Sequence, residues 1–208
     1  INLTKYLFFT VKGGVGKTTI ATNLLIGFQQ KGKTILIDTD EQQSSMRWSK
    51  QRNDINSEYI GSDLLDRLEQ LDSEYDYILI DLAGRDSSLF REALLVADLL
   101  IVPTAASLFD LELMYYMQEK LIEAKNTNAQ IKAVILINKV NSRSTELPEA
   151  IEYLDQFKEV LPTLSSYLSE RKIYRDAVVE SKSVLELKNQ KAKTEIDSLL
   201  SEISTYIS

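Results

Sequence analysis

The chain of 208 residues contains no cysteine and no histidine. Without cysteine there is no disulfide, no thiolate-held iron–sulfur cluster and no thiol nucleophile. Without histidine the commonest general base and zinc ligand is missing. Any chemistry must run on carboxylates, lysines, hydroxyls and a bound metal. There is also no apolar run approaching the roughly twenty residues of a membrane span. The start, Ile1-Asn2-Leu3-Thr4-Lys5, shows no charged segment leading into an apolar signal core. Nothing in the sequence reads as a linker, a low-complexity tract or an internal repeat, so a single domain over 1–208 is expected.

What is present is an ordinary globular composition, 44% hydrophobic and 26% charged, with a net charge of −7. That sign argues against a generally basic surface for nucleic acid. The charge is uneven, however. Arg171, Lys172, Arg175, Lys182, Lys188, Lys191 and Lys193 face only Asp176, Glu180 and Glu186 in the same window, a local +4 that leaves −11 for the remainder. A solvated charged face is the plain reading of that window, and a basic patch on an acidic body the other.

The stretch Lys12-Gly13-Gly14-Val15-Gly16-Lys17-Thr18-Thr19 follows an apolar run, Tyr6 to Val11, and precedes Ile20, Leu24, Leu25 and Phe28 at helical spacing. Strand, glycine-rich turn, Lys-Thr and helix is the context of a phosphate-binding loop. Glycines let backbone N–H groups close around phosphate oxygens, and the helix start adds positive dipole. Lys17 is expected on the β- and γ-phosphates and the Thr18 hydroxyl on Mg²⁺. Gly13, Gly14, Val15, Gly16 and Thr19 complete the cradle. The usual first glycine is absent: Val11 stands there, and a second lysine, Lys12, opens the loop.

Two further strands end in acids. Thr34 to Asp40 finishes in Asp38 and Asp40, and Tyr75 to Asp81 is followed by Gly84. In an open α/β sheet such strand ends lie at the ligand edge. Asp81 suits a metal-holding carboxylate, and Asp38 and Asp40 either join it or cap the next helix. Asn138, after the strand Ile131 to Ile137, offers a donor and an acceptor that adenine could use, or it forms a turn. Trp48 reads as packing rather than a ligand platform, and Asp110 as a helix cap or part of an interface. A short strand is expected around Leu164 to Leu168.

The two-lysine loop resembles the deviant Walker A box of the ParA/MinD ATPase family, and the likeness extends from Lys5 to about Leu187. The chain is most similar to the small plasmid-partition members without an N-terminal helix-turn-helix. The resemblance implies a single-domain α/β P-loop NTPase, with a mostly parallel twisted sheet of seven or eight strands and helices on both faces. It implies ATP and Mg²⁺ as cofactors, with Asp38 and Asp81 around the metal. Lys12 would reach the nucleotide of a partner subunit in an ATP-dependent homodimer, and Asp40 would position the attacking water. It further implies a cytoplasmic protein that binds nonspecific DNA in the ATP state and is stimulated by a centromere-binding adaptor. Positioning of a protein cargo and a non-hydrolysing ATP-dependent scaffold are alternatives. A metal-cluster carrier of the superfamily would need cysteines. A membrane-targeting C-terminal helix would be basic, whereas this one carries Glu195, Asp197 and Glu202. The chain departs from the family where Glu41, Ala83 and Ala106 replace prolines, and where Ser181 replaces a glycine. Arg171-Lys172-Ile173-Tyr174-Arg175-Asp176-Ala177 matches a recurring Arg-x-x-Tyr-Arg-x-Ala segment.

Overall fold

The computed structural model describes residues 4–9, 14–84, 87–106, 111–141 and 143–208. Six strands form one sheet: β1 (Lys5–Phe9), β2 (Thr34–Asp38), β3 (Asn56–Tyr59), β4 (Tyr77–Asp81), β5 (Leu99–Ala105) and β6 (Lys132–Asn138). Their order is β3-β2-β4-β1-β5-β6, and every pairing is parallel. Parallel neighbours need crossovers, and helices supply them. These are α1 (Lys17–Gln29), α2 (Ser44–Ser49), α3 (Leu64–Leu71), α4 (Ser88–Val96) and α5 (Leu111–Ala124). Helices α6 (Glu146–Leu154), α7 (Lys172–Val179) and α8 (Gln190–Ile207) follow the last strand.

The strand sequences are nearly continuous apolar runs because the sheet is covered on both sides. Alternation divides them between two cores. Phe8, Ile37 and Ile80 pack with α3, α4 and α5; Leu7, Phe9, Leu36 and Leu79 pack with α1 and α8. Met46 and Trp48 of α2 are both buried, Trp48 within the second core, as its packing role requires.

Among the described residues the sheet has six strands rather than about seven or eight. The segment expected as a strand near Leu164 to Leu168 runs beside β6, with the Leu164 and Leu168 amides donating to the Ile135 and Ile137 carbonyls, but it forms only isolated bridges, Ile135 to Thr163 and, past the end of β6, Val140 to Ser169. Between them, the amides of Ser165 and Ser166 donate to the two oxygens of Glu202 on α8, each at 2.7 Å. The carboxylate thereby takes the Ser166 amide, which a continuous strand would give to β6 as Leu164 and Leu168 do. Strand β3 was not legible beforehand, since its Asn-Ser-Glu-Tyr is polar and half-exposed at the sheet edge.

Register places the chemistry. Asp38 pairs with Asp81 across β2 and β4, and Phe9 pairs with Asp81 across β1 and β4. Three strands therefore end level, beside the start of α1. Asp38 and Asp81 share parity with Leu36 and Leu79, so both acids project toward the α1 side of the sheet.

Candidate functional site

Helix α1 begins without a side-chain cap. Its N-cap is Gly16, held at φ +91°, and the amide of Ile20 already bonds the Gly16 carbonyl at 3.0 Å. The N–H groups of the first turn thus point into the space above the loop. A cavity of about 270 Å³ lies there, lined by Gly14, Gly16, Lys17, Thr18, Thr19, Asp40, Gln42, Ser44 and Asp81. Uncapped amides, a lysine and a hydroxyl around one concavity are an anion site. Lys12 and Gly13 lie outside the described residues.

Gly16 is fixed from below. A Cβ there would stand 2.5 Å from the Asn138 side-chain nitrogen. That nitrogen donates to the Val15 carbonyl at 2.7 Å, while the Asn138 oxygen accepts from the Lys139 amide at 2.8 Å. The Lys139 ammonium in turn donates to the Gly14 carbonyl. Asn138 is buried, and in this structure its amide braces the phosphate loop. Lys139 escaped the sequence reading. Its signal was position alone, next to an asparagine at a strand end, and its left-handed backbone (φ 55°) is what turns it onto the loop.

Lys17 points inward. Its ammonium donates to the Leu82 carbonyl at 2.6 Å and stands 3.3 Å from Asp81 Oδ1. That carboxylate oxygen is buried without a hydrogen-bond partner. Burial pushes the Asp81 carboxyl up to about 6; Lys17 opposes the shift and Asp38 adds to it. An orphaned oxygen facing a cation, with the Thr18 hydroxyl on the same cavity, fits a divalent metal. Among the described residues no three carboxylates cluster closely enough to cage a cation. The donor set therefore suits Mg²⁺, which binds through one or two protein groups, water and phosphate oxygens.

Asp38 does not line the cavity. One of its oxygens accepts from the Asp40 amide at 2.9 Å, and the other from Ser45 Oγ at 2.7 Å and the Met46 amide at 3.0 Å. It is fully buried, and its geometry is that of a cap holding the start of α2. The resemblance implies a place around the metal for Asp38; here three protein donors hold its carboxylate away from the cavity lining. Asp40 does line the cavity, with Oδ1 accepting from the Gln42 amide at 2.9 Å. Gln42 and Ser44 join it on the wall.

The departures from the family pattern have physical uses. The Ala83 amide donates to Thr39 Oγ1 at 2.8 Å, and that hydroxyl donates to the Asp81 carbonyl at 3.2 Å. The Ala106 amide reaches the Asn138 carbonyl at 3.4 Å. A proline at either place has no N–H to give. Ser181 adopts the left-handed backbone that a glycine takes easily, φ 54°, and is tied down. Its Oγ donates to Gln51 and its carbonyl accepts from Arg52.

The basic window is partly spent internally. Arg171 makes two bonds to Glu195, which also accepts from Tyr174 at 2.8 Å and Ser169 at 2.7 Å. The Arg-x-x-Tyr segment is therefore a clamp on α8. Lys172 pairs with Asp176 at 3.3 Å and Lys182 with Glu180 at 2.9 Å, both at the surface. Arg175, Lys188 and Lys191 are exposed.

A family model described as the CobQ/CobB/MinD/ParA nucleotide binding domain matches residues 6–184. The chain belongs to this family. Maintenance of carboxysome distribution protein A of Halothiobacillus neapolitanus is 29% identical over 205 residues, covering 93% of each chain. Its namesake in Gloeobacter kilaueensis is 27% identical over 192 residues, covering 88% of this chain and 84% of that one. Among solved structures, an ATP complex of a Cyanothece McdA variant superposes with a TM-score of 0.78 at 18% identity, covering 97% of this chain and 96% of that one. A Borrelia burgdorferi protein named for plasmid partition and bound to AMPPNP gives 0.75 at 22%, covering 97% and 99%. At these identities the superpositions establish the shared fold. Nucleotide binding is the property that names the family. A solved relative, a cobyrinic acid a,c-diamide synthase of Mycobacterium smegmatis, holds ADP with magnesium.

Proposed function

We propose that this chain is an Mg-ATP-dependent ATPase that dimerises on ATP and uses that state to move a cargo along nonspecific DNA. One observation carries the reading: the 270 Å³ cavity joins an uncapped helix start, Lys17, Thr18, Asp40 and the orphaned oxygen of Asp81. Phosphate oxygens fit the amides and Lys17 once the ammonium leaves the Leu82 carbonyl. Thr18 and Asp81 would hold Mg²⁺, which supplies charge neutralisation between the β- and γ-phosphates. Asp40, on the wall, orients a water for attack. Asp38 acts one layer back, holding α2 and the Asp40 backbone in place. Asn138 keeps the loop seated and, through its second N–H, faces the base. The absence of histidine is no obstacle, because phosphoryl transfer depends on positioning and charge.

Lys12 is assigned to the partner's nucleotide, so γ-phosphate loss would release the dimer. Two copies double any basic surface and gain avidity for DNA. Lys172, Arg175, Lys182, Lys188, Lys191 and Lys193 are the surface candidates, Arg171 being committed to Glu195. Lys191 and Lys193 sit at the start of α8, where the dipole already carries positive charge. Their placement works against the helix and concentrates positive potential. The carboxysome-distribution relatives support a protein assembly as cargo, reached through an adaptor. A plasmid, through a centromere-binding adaptor, is the second reading, supported by the Borrelia burgdorferi structure.

Sizing with light scattering tests the switch: a dimer with Mg-ATP, a monomer with ADP, and salt-sensitive retention on duplex DNA with ATP alone. Retention indifferent to nucleotide or salt sinks the DNA carrier. Lys12→Gln is expected to bind ATP without dimerising, and Asp40→Ala to trap the dimer. Absence of phosphate release even with DNA and adaptor would leave a non-hydrolysing scaffold in its place.

A further inference from the structure

Arg47 lies outside every motif discussed so far. It is the fourth residue of α2, and α-helical side chains lean toward the helix N-terminus. Its guanidinium accordingly reaches back one turn, where Nη2 stands 3.4 Å from Ser44 Oγ. Ser44 lines the same cavity as Asp40, Gln42, Lys17 and Thr18. The guanidinium is thus one side chain removed from the space the phosphates would fill.

Its charge is not committed to a carboxylate, unlike the charges of three other arginines. Arg52 is held by Asp54 and Glu186, Arg67 by both oxygens of Glu58, and Arg171 by Glu195. Among the described residues no carboxylate is in ion-pair contact with Arg47, and the residue is exposed. Its backbone, by contrast, is fixed. The next turn of α2 is anchored by buried Trp48, and the preceding residues Ser45 and Met46 are bonded to buried Asp38. A rigid base carrying an uncommitted planar fork next to a phosphate cavity is the arrangement that charge stabilisation of a transferring phosphoryl group requires.

We propose that Arg47 is a catalytic residue that acts within its own subunit. Its guanidinium moves from Ser44 onto the γ-phosphate oxygens when ATP occupies the cavity. It would neutralise the charge that develops as water, oriented by Asp40, bonds to the γ-phosphorus and gives its proton to the phosphate formed, while the bond to the β-phosphate oxygen breaks and its electron pair leaves on ADP. This rests on the nucleotide reading of the cavity. It adds a residue that neither the phosphate loop nor the strand-end acids supply.

The test uses the full chain as wild type, Arg47→Ala and Arg47→Lys. Single-turnover hydrolysis of ATP, binding of ATP and of ADP by fluorescent analogues, thermal melting and DNA retention are measured for each. Arg47→Ala is expected to slow single-turnover hydrolysis at least about tenfold, and Arg47→Lys to restore part of the loss by returning the charge without the fork. Affinity for ADP, which lacks the contacted group, should stay within about twofold, while affinity for ATP weakens. Unchanged turnover in Arg47→Ala overturns the proposal. So does an equal loss of ADP and ATP binding with a lowered melting temperature, which would mean that Arg47 only supports α2. So does unchanged turnover with weakened DNA retention, which would move Arg47 to the DNA-facing surface. If the wild type itself fails to bind ATP, the nucleotide reading falls first. If it binds and turns over ATP while Arg47→Ala matches it, only the role of Arg47 falls.

Discussion

Asp81 shows how one carboxylate connects stability to function. Its ordinary value is 3.8, and burial raises it to about 6 in the folded chain. Below both values it is protonated whether folded or not, and it costs nothing. Between them the unfolded chain ionises while the folded one does not, so stability falls as pH rises. Above the folded value the full penalty applies, about 3 kcal/mol. Asp81→Asn keeps the shape and removes the charge. Thermal melts should show the variant more stable than wild type near neutral pH by about 1–3 kcal/mol, with the gap closing toward about pH 4. A gap that persists in acid would mean that burial of charge is not its cause. The same variant should lose Mg²⁺-dependent nucleotide binding, since the unbonded oxygen is the one the metal would use.

Gly16 makes the complementary case, a residue that acts by lacking atoms. Alanine there meets both a positive φ and a side-chain nitrogen 2.5 Å from its Cβ. Gly16→Ala should cost about 1–3 kcal/mol in urea unfolding. It should also displace Asn138 from the Val15 carbonyl and so weaken nucleotide binding. A midpoint equal to wild type would show that the loop relaxes without help from Asn138. Gly32 differs. It follows the end of α1 at Gln29 and is not among the left-handed glycines. Glycine is needed at 32 because a Cβ would stand 2.6 Å from Asp76 Oδ2, the carboxylate that accepts from the Lys33 amide at 2.7 Å. The glycine was visible in the sequence; the reason for it was not, because Asp76 lies far along the chain.

At the scale of elements, α1 has to hold the phosphate loop against the rest of the molecule. It does so by close approach to α8 and by one buried amide. Gly27 faces Leu200 of α8, whose Cδ1 would be 2.1 Å from an added Cβ. Alanine favours an isolated helix by about 1 kcal/mol, but overpacking a filled core costs about 1–3 kcal/mol. Leu200 is buried in that core and has little room to yield. Gly27→Ala should therefore destabilise in chemical denaturation, and the added change Leu200→Ala should cost less in that background than in wild type. Equal costs in both backgrounds would separate the two positions. Asn23, fully buried, supplies the second tie. It donates to the Thr19 carbonyl at 2.7 Å and accepts from Ser183 Oγ and the Val184 amide, both at 2.8 Å. Ser183 is bonded to Glu186, which Arg52 grips, so the nucleotide helix is joined to the segment that bears the basic window.

At the scale of the whole molecule, ligand binding should appear as stability. A ligand that binds only the folded state adds about 2.7 kcal/mol at a hundredfold excess over its Kd. If ATP also joins two copies, the melting temperature with Mg-ATP should rise with protein concentration, while that with Mg-ADP should not. Chelation of Mg²⁺ should abolish most of the ATP effect. A melting temperature with Mg-ATP that is independent of protein concentration would argue for a monomer that merely holds nucleotide. Charge sets the environment of that equilibrium. A body at −7 overall repels DNA except where the basic window is presented, so retention should depend steeply on salt.

Several of these features are local in the chain, and local features were legible. The phosphate loop, the apolar strands and the acids at their ends are contiguous patterns whose meaning comes from the backbone itself: glycine dihedrals, strand period, helix start. They determined an α/β sheet with a loop for phosphate at its carboxyl edge. The tertiary structure decided which of those acids is open. Asp38 and Asp81 look alike at the ends of two strands, yet one accepts from the Asp40 amide and from Ser45 and Met46 of α2, and the other is left with an oxygen facing Lys17. It also decided that Glu202 would interrupt a strand, that Glu195 would absorb Arg171, and that Arg47 would lean over the cavity wall. Most of those outcomes depend on partners remote in sequence. Dielectric, hydrogen-bond supply and steric room are properties of a packed neighbourhood, which a linear pattern does not contain.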